Sequence, residues 1–242
     1  MSVMKNSIEI INLNKSFYIG KEEVQVLNDL SFSVEKGSFL SIMGPSGCGK
    51  STLLYLLGGL DDPTSGQIII NGKDIGTLKE DEKARMKRRD VGFVFQFHNL
   101  VPNLSVEDNI LLPIILDGRS VRDYRMELKR ILDLIKLSHK RTATPRELSG
   151  GQQQRIAVAR ALLFQPEIIL ADEPIGNLDS HNGATIMELF QSINREFGKT
   201  IIQVTHSEAS TRYGDSVIYL KDGVIESQKT LRPFGRGLIT TL

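Results

Sequence analysis

Eight consecutive residues, Gly44-Pro45-Ser46-Gly47-Cys48-Gly49-Lys50-Ser51, fit the spacing G-x-x-x-x-G-K-[ST]. Glycines let backbone N–H groups close around phosphate oxygens. The lysine adds a cation for the terminal phosphates, and the Ser51 hydroxyl can ligate Mg²⁺. Thr52 follows in the opening turn of a helix, whose N-terminus favours an anion. A plain glycine turn would need neither the lysine nor the hydroxyl, so the ligand expected is a nucleoside triphosphate with magnesium, and Cys48 reads as a small residue that the loop accommodates. Farther on, Ile168-Ile169-Leu170-Ala171-Asp172-Glu173 is an apolar run ending in two acids. Alone, such a pair reads as a solvated strand end. Beside a phosphate loop, Asp172 can hold the magnesium shell and Glu173 can polarise a water. A third string, Leu148-Ser149-Gly150-Gly151-Gln152, puts small residues at a helix start, where Ser149 and the neighbouring N–H groups offer a second phosphate-binding surface.

The elements that must carry these groups are legible in the hydropathy pattern. Residues 8–11, 24–27, 30–34 and 39–43 alternate with β-branched residues between turn signals, which predicts an N-terminal antiparallel β-subdomain. The strand at 39–43 runs into the glycine loop, and residues 51–57 then read as a helix closed by Gly58-Gly59. A strand at 67–70, a charged helix over about 78–89 and a short strand at 91–95 follow. Residues 105–164 are dominated by helical patterns, interrupted at Pro113, Pro145 and Ser149-Gly150-Gly151. Strands at 168–171, 200–204 and 216–220, with a helix over 184–196, restore a strand–helix alternation. The fold class expected is α/β: a phosphate-loop NTPase core with a parallel sheet, an N-terminal antiparallel β-subdomain, and a helical subdomain inserted at roughly 97–164. The nucleotide-binding domain is expected to span 1–227, leaving 228–242 as a basic, irregular appendix that carries Lys229, Arg232 and Arg236.

Composition narrows the partners. With 242 residues and 40% hydrophobic content the chain can fill a core. Thirty basic residues against 29 acidic ones leave no global field to attract nucleic acid. One cysteine allows no internal disulfide, which favours a reducing compartment. The apolar runs are too short to span a bilayer, and residues 1–9 show no secretory pattern, so a cytoplasmic location is expected.

The string 148–152, about 20 residues ahead of the acidic pair, resembles the signature of ABC-transporter ATPases. The resemblance runs over roughly residues 8–226. Gln96 resembles the family's Q-loop glutamine, Asn177-Leu178-Asp179 its D-loop and His206 its switch histidine. Phe17 or Tyr18 stands where an aromatic side chain usually stacks on adenine. Two departures are visible: Ile175 where threonine is common, and Phe17 in place of the usual tyrosine.

The resemblance implies catalytic roles for Glu173, His206 and Gln96, and a magnesium site at Ser51, Gln96 and Asp172. It implies ATP on residues 44–52 and Phe17 of one subunit, closed by Ser149, Gly150, Gly151 and Gln152 of the other, with Asp179 at the junction. The implied assembly is a head-to-tail homodimer attached to a separate membrane permease on the inner face of the membrane. Residues 58–66, 95–104 and 171–179 are similar to the ATPases of lipoprotein-release, macrolide-export and antimicrobial-peptide-resistance systems. Their permeases typically convert ATP hydrolysis into work at the outer face, and residues 97–107 are where the permease is expected to dock. A soluble ABC ATPase of ribosomes or DNA repair is the alternative, although two cassettes or a long coiled-coil insertion would not fit in this length. A small-molecule kinase would have no use for residues 148–152, and detectable hydrolysis would exclude a non-catalytic binding module.

Overall fold

The computed structural model describes residues 6–231. Its first sheet is antiparallel, in the order β2-β1-β4-β5, built from β1 (Asn6–Ile19), β2 (Glu22–Glu35), β4 (Ser65–Ile70) and β5 (Lys73–Asp74). The two strands expected at 24–27 and 30–34 are one strand, β2. What looked like a break is a bend, where Asp29 takes a left-handed conformation opposite Asn12, which does the same. Asn12 Nδ2 donates to Asp29 Oδ1 at 2.7 Å and the Asp29 N–H donates to Asn14 Oδ1 at 2.9 Å, so side chains satisfy the polar groups that the bend disturbs.

The second sheet has the order β10-β9-β3-β8-β7-β6. Its members β3 (Phe39–Met43), β6 (Val91–Val94), β7 (Ile168–Asp172), β8 (Thr200–Thr205) and β9 (Ser216–Lys221) run parallel. Every residue of β3, β7 and β8 is buried, because both faces are covered. Alternation still sorts the side chains: Ile168 and Leu170 join the cluster under the antiparallel sheet and α1 (Lys50–Leu57), while Ile169 and Ala171 join the cluster under the helices. The phosphate loop leaves the C-terminal end of β3, between β8 and β9, which is the crevice where a parallel sheet receives its ligand.

The inserted helices are α3 (Val106–Leu116), α4 (Arg125–Leu134) and α5 (Gly150–Leu162), packed with α6 (Ser180–Phe197) around one apolar cluster. Pro113 does not interrupt the helix as expected: α3 continues through it to Leu116. Between β5 and β6 lies α2 (Glu80–Arg89), with acids in its first turn and bases in its last, as the helix dipole favours. A short helix, α7 (Glu208–Thr211), follows β8.

The expected start of the appendix is corrected. Residues 228–230 belong to β10 (Val224–Thr230), which pairs antiparallel with β9 through a turn at Asp222-Gly223, both in the left-handed region. The strand escaped notice because it is an edge with mostly exposed polar residues, and only Ile225 packs against the core cluster. Lys229 lies 5.2 Å from the centre of the Tyr219 ring. Arg232 and Arg236 lie outside the described residues.

Candidate functional site

The phosphate loop can exist only with glycine at two of its corners. Gly44 has φ 156°, and a Cβ there would stand 2.0 Å from the Leu220 carbonyl oxygen. Gly49 has φ 98°, and a Cβ would stand 2.6 Å from Leu27 Cδ2 and 2.9 Å from the Val26 carbonyl oxygen. Between them Pro45, Ser46 and Gly47 are exposed, while Cys48 is buried beneath Gly44. Lys50 is 8% exposed, and its ammonium bends back over the loop, donating to the Gly44 and Pro45 carbonyls at 2.9 and 2.8 Å. A phosphate entering the loop would meet a cation already placed at its centre. Thr52 is half-buried in the first turn of α1.

Asp172 ends β7 directly against this helix. Ser51 Oγ donates to Asp172 Oδ1 at 2.9 Å, and Tyr55 Oη donates to Asp172 Oδ2, also at 2.9 Å. Burial, then the bond to Asp172 and the carboxylate's charge, push the Tyr55 hydroxyl up to about 12. The tyrosine is therefore a fixed donor through the physiological range. Among the described residues no group of three or more His, Cys, Asp or Glu is arranged to hold a metal ion by itself. A serine and one carboxylate suit magnesium, which keeps waters and takes its remaining ligands from substrate phosphates. The donor set therefore fits the expected ion.

Glu173 adopts a left-handed conformation, φ 44°, at a cost of about 1–2 kcal/mol. Two backbone bonds hold it there, from the Glu173 N–H to the Val204 carbonyl and from the Gly176 N–H to the Glu173 carbonyl, each 3.0 Å. The side chain meets His206, whose Nδ1 lies 3.0 Å from Glu173 Oε1. Glu173 Oε2 is buried and has no partner. A buried carboxylate oxygen without a protein partner has room to accept from a donor outside the protein, such as water. A cleft of about 720 Å³ runs from Glu173 and His206 past Asp179 to Gln191 and Tyr213. Behind it the fully buried Gln203 donates to Ser41 Oγ at 2.9 Å and to the Ser210 carbonyl at 3.2 Å, fixing the turn that presents His206.

Gln96 follows β6 and its amide nitrogen lies against Gly176, where a Cβ would stand 3.1 Å from Nε2. Asn177 Nδ2 donates to the Gln96 carbonyl at 3.4 Å. The Q-loop and the segment after Glu173 therefore touch. Gln154 holds them together: this fully buried side chain of α5 donates to the Phe95 carbonyl at 3.3 Å and to the Pro174 carbonyl at 2.9 Å. Its Oε1 and the nearby His98 Nδ1 are buried without partners. Burial lowers the His98 pKa, and Gln154 offsets this in part. The neutral form is thus favoured in the fold, so the stability it contributes is complete above about pH 6.5 and is lost as pH falls from there through the lower folded value. His98→Asn is expected to flatten the slope of unfolding free energy against pH below 6.5, measured by urea denaturation of both proteins.

The string 148–152 forms the start of α5. Ser149 is the N-cap: its Oγ accepts from the Gln152 N–H at 3.3 Å, and Gln152 Oε1 accepts from the Ser149 N–H at 2.9 Å. The Gln152 side chain is engaged in capping, while Ser149 and Gly150 are exposed. Gly151 is pressed against Asn182, and a Cβ would stand 2.4 Å from its Oδ1. Asn182 in turn donates from its backbone N–H and from Nδ2 to the two oxygens of Asp179, the N-cap of α6, and these bonds, backbone first, lower the Asp179 pKa. No hydrogen bond among the described residues joins 149–152 to the phosphate loop. Phe17 is 40% exposed near the end of β1, with Lys15 Nζ 4.7 Å from its ring centre. A base stacking on Phe17 would take the opposite face. Tyr18 is 71% exposed.

Residues 27–176, more than half of the chain, match a family model described as ABC transporter. The chain belongs to the ABC transporter family. It is 44% identical over 231 residues to an ABC transporter ATP-binding protein, MJ0796, of Methanocaldococcus jannaschii, covering 94% of this chain and 98% of that protein. A dimeric post-hydrolysis structure of MJ0796 with ADP and Pi superimposes with a TM-score of 0.85 at 42% identity, over 94% of this chain and all of that one. The lipoprotein-releasing system ATP-binding protein LolD 1 of Chlorobium chlorochromatii is 44% identical over 208 residues, 86% of this chain and 85% of its own. The macrolide export ATP-binding/permease protein MacB of Chlorobium phaeobacteroides is 44% identical over 226 residues, 93% of this chain but 34% of its own length. As an ABC cassette the chain binds ATP with Mg²⁺ and hydrolyses it.

Tyr55, Gln154 and Asn182 were not singled out by the sequence. Tyr55 carried a faint signal, since it stands four residues after Ser51 and so shares its face of α1. Gln154 is indistinguishable from Gln152 and Gln153 until burial is known.

Proposed function

We propose that this chain is the ATP-hydrolysing subunit of a LolD- or MacB-type transporter, working as a homodimer on the cytoplasmic face of a membrane to drive a separate permease. The catalytic arrangement that supports this reading is the pair Glu173 and His206, with one carboxylate oxygen free, beside the Ser51–Asp172 magnesium site. In the assembly, ATP lies on residues 44–52 of one subunit and is closed by Ser149, Gly150 and Gly151 of the other. Gln96 completes the magnesium site and Phe17 stacks on the adenine. Bound ATP favours the closed dimer, and loss of the γ-phosphate removes that bias.

No helix among the described residues is long and apolar enough to cross a membrane, so the substrate's path belongs to the permease. Phe97, 68% exposed, directly follows Gln96, and with Val101, 38% exposed, it offers the apolar surface for a short helix of that partner. The names of the relatives favour lipoprotein release or macrolide export. No observation favours the ribosome or DNA-repair alternative.

The test is a pull-down of tagged Glu173→Gln protein with ATP and Mg²⁺ from detergent-solubilised membranes of the source cells. Recovery of a permease with a large extracytoplasmic domain is the expected result. Recovery of ribosomal or DNA-repair factors, with no membrane protein, would overturn the reading.

A further inference from the structure

We propose that Tyr55 is a positioning residue for the magnesium ion, holding Asp172 Oδ2 so that the carboxylate turns its other oxygen, with Ser51, toward the metal. The inference rests on reading Asp172 as the magnesium-shell carboxylate.

Asp172 is 7% exposed, and its two oxygens are taken by two hydroxyls of one helix face. The two donors differ in what they can do next. Ser51 Oγ donates its proton to Oδ1 and keeps lone pairs for a metal, so its bond to Asp172 is compatible with coordination. The Tyr55 hydroxyl arrives from one turn farther into α1 and engages only Oδ2. A carboxylate rotates readily about its last torsion, and a single tether would leave it that freedom. Two tethers on opposite oxygens define its plane.

The tyrosine is itself braced. Its ring lies 5.8 Å from that of Phe93, tilted 47°, and Phe93 stacks on Phe95 at 4.4 Å. This aromatic row runs from the magnesium carboxylate to the residue before Gln96, so one rigid wall supports both expected metal-site groups. Partners of this kind, one step removed from the ion, change metal affinity by about 10- to 100-fold when removed.

The test uses Tyr55→Phe, which keeps the ring and its contacts and deletes only the hydroxyl. In a Glu173→Gln background, where ATP is consumed only slowly, Mg²⁺ is titrated against binding of a fluorescent ATP analogue, with Asp172→Asn as the control and thermal unfolding as the check on folding. The expected result is a half-saturating Mg²⁺ concentration raised about tenfold in Tyr55→Phe, with nucleotide binding in EDTA unchanged. An unchanged Mg²⁺ requirement, with Asp172→Asn shifted, would overturn the role of Tyr55. Unchanged requirements in both would instead overturn the reading of Asp172. Equal weakening with and without Mg²⁺ would also defeat the proposal, since it would make Tyr55 a support of the whole loop.

Discussion

Glu173→Gln is expected to bind ATP and to turn it over about 10²- to 10⁴-fold more slowly than the wild type, a barrier increase of roughly 3–5 kcal/mol. The substitution is nearly isosteric, so the left-handed backbone at position 173 and its bonds to Val204 and Gly176 persist. What disappears is the basicity of Oε2, the buried oxygen with no partner in the protein. A negative charge near the γ-phosphate also disappears, which lowers repulsion in the ATP-bound state. The variant should therefore accumulate as an ATP-bound dimer, visible as a shift in size-exclusion elution with ATP but not with ADP. Single-turnover hydrolysis reads the chemical step directly. Hydrolysis at close to the wild-type rate would remove Glu173 from the role of base.

Gly151→Ala is expected to lower ATPase activity about 5- to 150-fold while leaving nucleotide binding by the isolated subunit intact. The added methyl would stand 2.4 Å from Asn182 Oδ1, 2.7 Å from its Cγ and 3.0 Å from its Cβ, so the whole side chain must leave. Its departure releases Asp179 Oδ2 from Nδ2 and loosens the cap of α6 beside the signature. Overpacking of this kind costs about 1–3 kcal/mol, and each 1.36 kcal/mol is a tenfold change in a rate or equilibrium. The damage falls on the surface offered to the partner's nucleotide, not on residues 44–52 of the same chain. Mixing Gly151→Ala with Lys50→Ala subunits then rebuilds one intact composite site in each mixed dimer, and part of the hydrolysis should return. Absence of any recovery would argue that the signature does not act across subunits.

The two substitutions probe different levels of legibility. The phosphate loop, the acidic pair and the signature were readable because backbone chemistry restricts them to a few residue types at a set spacing. Glycine at 44 and 49 is demanded by positive φ and by close backbone neighbours, and a lysine with a hydroxyl has no structural reason to follow such a turn. The parallel core was readable for a related reason. Strands buried on both faces must be apolar throughout, and 39–43, 168–172 and 200–205 largely are.

Edge and bend defeated the same reasoning. Asp29 reads as a turn residue, yet the chain continues as one strand because Asn12 and Asn14 on the neighbouring strand supply the missing bonds. Residues 228–230 read as irregular because an edge strand needs little apolar content when one neighbour supplies its ladder.

The sequence by itself determined the family and its ATPase chemistry, since the phosphate loop and the strings that accompany it are specified by residue type and local backbone. Only the tertiary structure decided how those groups are held. Tyr55 reaches across to Asp172, 117 positions away, Gln154 clamps the backbones before Gln96 and after Glu173, and Asn182 fills the space that Gly151 leaves. A tyrosine, a glutamine and an asparagine are compatible with many surroundings. Their roles arise from burial and from contacts between distant segments, which no local pattern encodes.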